Sequence, residues 1–139
     1  MDEIYRLSRV IELLRRQLNK DLPSQHIALL LAVAQNPGIT MPELCKQLDM
    51  PQGTVSRNVK LMSHFCDKNG NNSVTKKGYG LLETDQAPAN RYQLAVFLTA
   101  EGERLVEKLA RVMGPEKKVD GFRDRMPDEV STMSKQLVS

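Results

Sequence analysis

Tryptophan is missing from this 139-residue sequence, and only 4% of its residues are aromatic. A core built from it must be mostly Leu, Val, Ile and Met. Long apolar runs are missing too: Ile27–Ala34 falls far short of the roughly 18 residues of a membrane span. The N-terminus is charged and amphipathic and lacks a signal-peptide apolar stretch, so a cytoplasmic protein with no membrane partner is expected. The two cysteines, Cys45 and Cys66, are too few for a disulfide framework. Cys45 falls on an apolar helical face and is expected in the core; Cys66 is either an inert surface thiol or a redox-sensitive one. His64-Phe65-Cys66 offers too few ligands for zinc, and Lys76-Lys77-Gly78 and Gly78-Tyr79-Gly80 are too sparse for a phosphate-cradling loop. No Ser/His/Asp or Cys/His set comes with a supporting motif. The sequence therefore points away from an enzyme and calls for no cofactor and no metal.

The length suits one domain with a modest core, extended by an added dimerisation element. The net charge of +3 matters less than where it lies. Between Pro51 and Gln93 the positive residues are Arg57, Lys60, Lys68, Lys76, Lys77 and Arg91, against Asp67, Glu83 and Asp85. The remainder of the chain is balanced, so the whole excess falls on this stretch.

Thr40–Leu61 carries the strongest local signals. Thr40 and Glu43 form a Thr-x-x-Glu capping box, and Pro42 suits a first helical turn. Met41, Leu44, Cys45 and Leu48 recur at i, i+3, i+4, i+7, the spacing of one helical face. Asp49-Met50-Pro51 breaks that period, because proline pushes its predecessor out of helical geometry. A second helix then turns Val55, Val59 and Met62 inward. Its outward face carries Gln52, Thr54, Ser56, Arg57 and Lys60, donors and acceptors suited to base edges and phosphates in a major groove. Two short helices joined this way predict a helix-turn-helix.

Upstream, Asp2–Leu18 places Ile4, Leu7, Ile11, Leu14 and Leu18 at alternating spacings of three and four. That seam implies either a helix docked on its own domain or a dimer interface. After Asp21-Leu22-Pro23, Ser24 is expected to cap a helix burying Ile27, Leu30, Leu31 and Ala34 and ending at Asn36-Pro37-Gly38. His26 on this helix is expected at the surface or in packing, and Ile39 in a very short strand. Downstream, Phe65–Gly80 holds the turn signals Asn69-Gly70-Asn71-Asn72 and Gly78-Tyr79-Gly80 without a sustained period. It is expected to be a long loop, either solvated or touching DNA phosphates through Lys68, Lys76 and Lys77. Leu81–Thr84 and Tyr92–Leu98 predict two strands joined by Asp85–Arg91, with Arg91 at the tip placed to enter a minor groove. Thr99 caps a last helix with Leu105, Val106, Leu109, Val112 and Met113 on its apolar face, ending at Gly114-Pro115. The polar tail Glu116–Ser139 shows a weak helical pattern around Val130, Met133 and Leu137.

This order of elements resembles the MarR-type winged helix-turn-helix regulators. The likeness is carried by Asn36-Pro37-Gly38-Ile39-Thr40, Glu43-Leu44, Leu48, Gln52-Gly53-Thr54-Val55-Ser56-Arg57 with Val59, Gly80-Leu81-Leu82 through Arg91, and Leu98-Thr99-Ala100-Glu101-Gly102. It implies a mainly α (α+β) winged helix-turn-helix with added N- and C-terminal dimerisation helices. On that pattern, 1–20 is a dimerisation helix, 21–98 the DNA-binding region with an insertion at about 66–79, and 99–139 a dimerising helix and tail. The resemblance also implies a homodimer on double-stranded DNA, with Gln52, Gly53, Thr54, Ser56, Arg57 and Lys60 on the recognition helix and Arg91 on the wing. A small-molecule effector between the dimerisation helices and the DNA-binding lobe is a further family possibility. Two departures stand out. The family wing usually has Asp-Arg-Arg where this chain has Asn90-Arg91-Tyr92, and the family has no counterpart to the insertion before Gly80. The expected function is a sequence-specific transcriptional regulator, a repressor acting on a palindrome. The competing readings are a winged-helix assembly protein for replication, partition or recombination, and a protein-interaction module that no longer binds DNA.

Overall fold

A computed structural model describes residues 2–68 and 74–114. The order of elements is α1 (Asp2–Gln17), α2 (Ser24–Gln35), β1 (Ile39–Thr40), α3 (Met41–Leu48), α4 (Gln52–Met62), β2 (Phe65–Lys68), β3 (Val74–Lys77), β4 (Leu82–Ala87), β5 (Asn90–Leu98) and α5 (Ala100–Met113). The expected mainly α (α+β) class holds, with the helices packed around a small antiparallel sheet. That sheet has the order β1-β5-β4, and β2 and β3 form a separate two-stranded ribbon. The short strand at Ile39 forms, pairing Ile39 with Val96 and Thr40 with Ala95. The core gathers Leu14, Leu29, Leu30, Val33, Leu44, Val55, Met62, Leu82 and Val96, all almost fully buried. These are the aliphatic and methionine side chains that a sequence without tryptophan must use.

The helix-turn-helix forms as its local chemistry dictates. The Thr40 hydroxyl accepts from the Glu43 N–H at 3.3 Å and donates to the Glu43 carboxylate at 2.8 Å. Asp49 closes α3 in the left-handed region at φ 51°, and Met50 N–H returns to the Cys45 carbonyl. Thr99 caps α5 by accepting from the Gly102 N–H at 3.1 Å while donating to the Gly80 carbonyl at 2.6 Å.

Five expectations need correction. The first helix does not bury one continuous seam: Leu14 is 1% exposed in the chain's own core, while Ile4 (60%), Leu7 (51%) and Ile11 (38%) remain open. Spacing defines a stripe but not which half of it the chain's own domain covers. Ser24 is not the cap of α2; Pro23 holds that position and no side-chain cap bond forms. The buried set of α2 is His26, Leu29, Leu30, Ala32 and Val33, with Leu31 left partly open. This helix touches α3, α4, α5 and β5, so burial runs around much of its circumference and a single stripe cannot describe it. The expected long loop Phe65–Gly80 contains an antiparallel ribbon pairing Phe65 with Lys77 and Lys68 with Val74. Its strands carry Asp67, Lys68, Lys76 and Lys77 and so lack the apolar alternation that marks a strand. Finally, the wing strands run further than expected, to Ala87 and from Asn90, leaving only Pro88 and Ala89 in the turn. The pairing outlasts the apolar pattern because the ladder is made by backbone groups and continues past Glu83–Gln86, which are exposed. The turn at Asn69–Asn72 and the tail Glu116–Ser139 lie outside the described residues.

Candidate nucleic-acid interface

α4 is held from behind and open in front. Val55, Val59 and Met62 are buried, as their spacing requires. Gln52, Gly53, Ser56, Arg57 and Lys60 are exposed, and Thr54 is half-buried. The structure thus brings the six recognition-helix candidates onto a single solvent-facing surface. The Arg57 guanidinium lies 3.5 Å from the Thr54 hydroxyl, a marginal hydrogen bond that leaves its other donors directed outward. A Cβ at Gly53 would meet little besides the Arg57 side chain, so glycine there keeps the front of the helix low. Lys60 places its ammonium 5.1 Å from the centre of the Phe65 ring, tying the end of α4 to the start of the ribbon by a cation–π contact.

Two hairpins follow this helix in the sequence. On the wing, Arg91 is exposed and belongs to β5 itself, one residue beyond the turn, not to a loop. The Asn90 side-chain oxygen accepts from the Tyr92 N–H at 3.0 Å, fixing the backbone around Arg91. Tyr92 is 98% exposed, which adds an aromatic ring to the wing tip. The strand pattern alone does not single it out, because a tyrosine fits a buried strand position equally well; its place next to Arg91 is the signal that could have done so. On the ribbon, Lys68 ends β2, while Lys76 and the exposed Lys77 end β3. The side chains of Lys68 and Lys76 lie outside the described residues. Cys66 is exposed and Cys45 half-buried against the core.

The ribbon leaves and rejoins the domain at one place. Tyr79 N–H bonds to the Leu61 carbonyl and Leu81 N–H to the Met62 carbonyl. Gly78 and Gly80, at φ +98° and +69°, make that closure possible; a Cβ would run into the Ser63 carbonyl at the first and the His64 ring at the second. The path from α4 to the wing is therefore continuous in space despite the ribbon between them.

Helix-turn-helix, short strand, two-stranded wing and flanking helices can now be set against known proteins. The MarR family model matches residues 20–63, covering α2, β1, α3 and α4. A crystal structure of MarR superposes with a TM-score of 0.53 at 23% identity, covering 96% of this chain and 87% of that one. The chain has the MarR-type winged-helix fold. Streptococcus pneumoniae FabT, solved in complex with DNA, is similar to this chain at TM-score 0.53 and 22% identity, over 90% of this chain and 77% of that one. PcaV from Streptomyces coelicolor, solved with its natural ligand, gives 0.51 at 18% identity, over 97% and 85%. No curated protein matches the chain in sequence. At such identities the likeness of this chain to the solved structures concerns the fold.

The structure also exposes a polar group that the sequence pattern hid. Asn58, on the inward face of α4, is buried, and its side-chain oxygen lies 3.2 Å from His26 Nε2 on α2. Its position three residues after Val55 was the available signal, since an amide in an apolar stripe needs partners.

Proposed function

We propose that the chain is a sequence-specific regulator of transcription that binds double-stranded DNA, a repressor working as a homodimer on a palindromic site in the cytoplasm, without enzymatic activity. The observation that carries this reading is the open face of α4, where Gln52, Thr54, Ser56, Arg57 and Lys60 stand clear of a well-buried back. Gln52 and Thr54 read bases, Arg57 contacts guanine or phosphate, Lys60 contacts phosphate, and Gly53 lets the helix approach closely. Arg91 enters the flanking minor groove from the wing tip. Lys68, Lys76 and Lys77 on the ribbon add phosphate contacts. The FabT structure, solved with DNA, supports the same use of the shared fold.

The dimer rests on α1. Ile4, Leu7 and Ile11 form an open apolar stripe, with Met113 exposed at the end of α5, and burial against a second copy would remove that surface from water. Residues 1–20 and 99–139 are assigned to dimerisation and 21–98 to DNA binding. A small-molecule effector fits the cavity of about 240 Å³ between α1, α5 and the Tyr79–Leu81 joint, lined by Gln17, Leu18, Arg104 and Lys108 among others. PcaV, solved with its natural ligand, supports that part of the reading.

Selection of duplexes from a random pool, with stoichiometry measured on the winner, tests the proposal. One symmetric site per dimer is the expected result. An array of spreading contacts would favour the assembly-protein reading, and no selected duplex would end the DNA-binding one.

A further inference from the structure

Within the described residues, two buried side chains are polar, His26 and Asn58, each 8% exposed. They face one another across the packing of α2 against α4. His26 Nε2 and Asn58 Oδ1 are 3.2 Å apart, and Asn58 Nδ2 donates to Gln25 Oε1 at 3.3 Å. Because the Asn58 amide nitrogen is engaged by Gln25, its oxygen must accept, and His26 Nε2 must carry the proton. His26 Nδ1 is buried with no protein partner.

An apolar stripe of Val55, Val59 and Met62 would dock α4 on the core but would tolerate small rolls and slides, since one methyl replaces another cheaply. A buried amide removes that tolerance. The buried His26–Asn58 pair restricts the setting of α4, and Gln25, the residue before His26 on α2, takes the other end of the same amide. A roll of about 20° would swing a side-chain tip at the helix's outer radius of roughly 6 Å by about 2 Å, beyond what a hydrogen bond absorbs. Asn58 directly follows Arg57, so whatever fixes the angle of one fixes the angle of the other. Buried polar groups elsewhere set register and orientation at some expense in stability.

We infer that the Gln25–Asn58–His26 clasp is a positioning device for sequence discrimination, holding α4 at the one angle from which Gln52 and Arg57 reach base edges. The inference rests on the DNA-binding reading above. It separates two quantities that a merely structural role would move together: preference for the selected duplex over random duplex falls, while non-specific affinity and its salt slope stay unchanged.

The test compares the full chain with His26→Leu/Asn58→Leu, in which neither partner is stranded, and with His26→Gln, whose amide can still donate to Asn58. Each is titrated with the selected duplex and with a scrambled one over a range of salt, and each is unfolded in urea. The double variant is expected to fold with unchanged or raised stability and to lose about tenfold in the specific-to-random ratio. His26→Gln is expected to retain most of that ratio. A double variant with the wild-type ratio would overturn the clasp alone, and so would His26→Gln losing as much as the double variant. A wild-type chain that bound no duplex would overturn the DNA-binding reading and this inference with it.

Discussion

The chain builds two antiparallel hairpins within thirty-five residues, and they are attached in opposite ways. The wing, β4–β5, is anchored through Leu82, Ala95 and Val96, all buried, and gains a third strand in β1. The ribbon, β2–β3, contributes none of its described side chains to the buried core; Phe65 is half-buried, and Cys66 and Lys77 are exposed. It is held by the joint at its base and the Lys60–Phe65 contact. The same backbone motif is thus a structural wall in one place and an appendage in the other. The difference lies in which side chains face the core, not in the hydrogen-bonded ladder.

Four experiments would break or sharpen that contrast. Leu82→Ala in the wing should cost about 2–5 kcal/mol of unfolding free energy, as for other fully buried leucines; a loss in urea below about 1 kcal/mol would mean the wing is not anchored as described. Arg57→Ala on α4, the helix ahead of both hairpins, should weaken binding to a selected duplex by about 1–3 kcal/mol while leaving the urea midpoint in place. Arg91→Ala at the wing tip is expected to cost about 1 kcal/mol of the same binding, with the effect concentrated at flanking A·T pairs. Replacing Lys68, Lys76 and Lys77 together by alanine should lower the slope of log K against log salt by about 0.9 for each phosphate that is no longer neutralised. A slope that did not move would remove the ribbon from the interface.

The smallest effect is the most diagnostic for the ribbon. Excising residues 65–77 and closing the gap with Gly-Gly should change stability by less than about 1 kcal/mol, since two-residue glycine turns fit an antiparallel exit and return. Circular dichroism and urea unfolding would check this, and a chain that failed to fold would show that the ribbon is part of the domain.

Legibility in the sequence followed the locality of the chemistry. The Thr40–Glu43 cap, the break at Pro51 and the inward face at Val55, Val59 and Met62 depend on neighbours a few residues away, and all could be read directly. The outward set on α4 followed as the complement of that face. What stayed hidden was decided by distant partners. Ile4 and Leu14 lie on one stripe, yet the core covers only the second. The strands of the ribbon carry charge where strands usually alternate, so their backbone pairing left no periodic trace in the sequence. Asn58 has its partners, His26 and Gln25, more than thirty positions earlier, beyond the reach of any local pattern.

The joint at Gly78–Gly80 also bears on the order of folding. Leu61 and Tyr79 meet across a span of about eighteen residues, and closing so long a flexible loop is opposed by chain entropy. A ribbon that zips up on its own first draws Phe65 beside Lys77, leaving only a few residues to be closed. On loop-closure scaling that shortening is worth about 1 kcal/mol. The ribbon thereby lessens the entropic penalty of its own length, and the wing can follow α4 almost as though the two were adjacent in sequence.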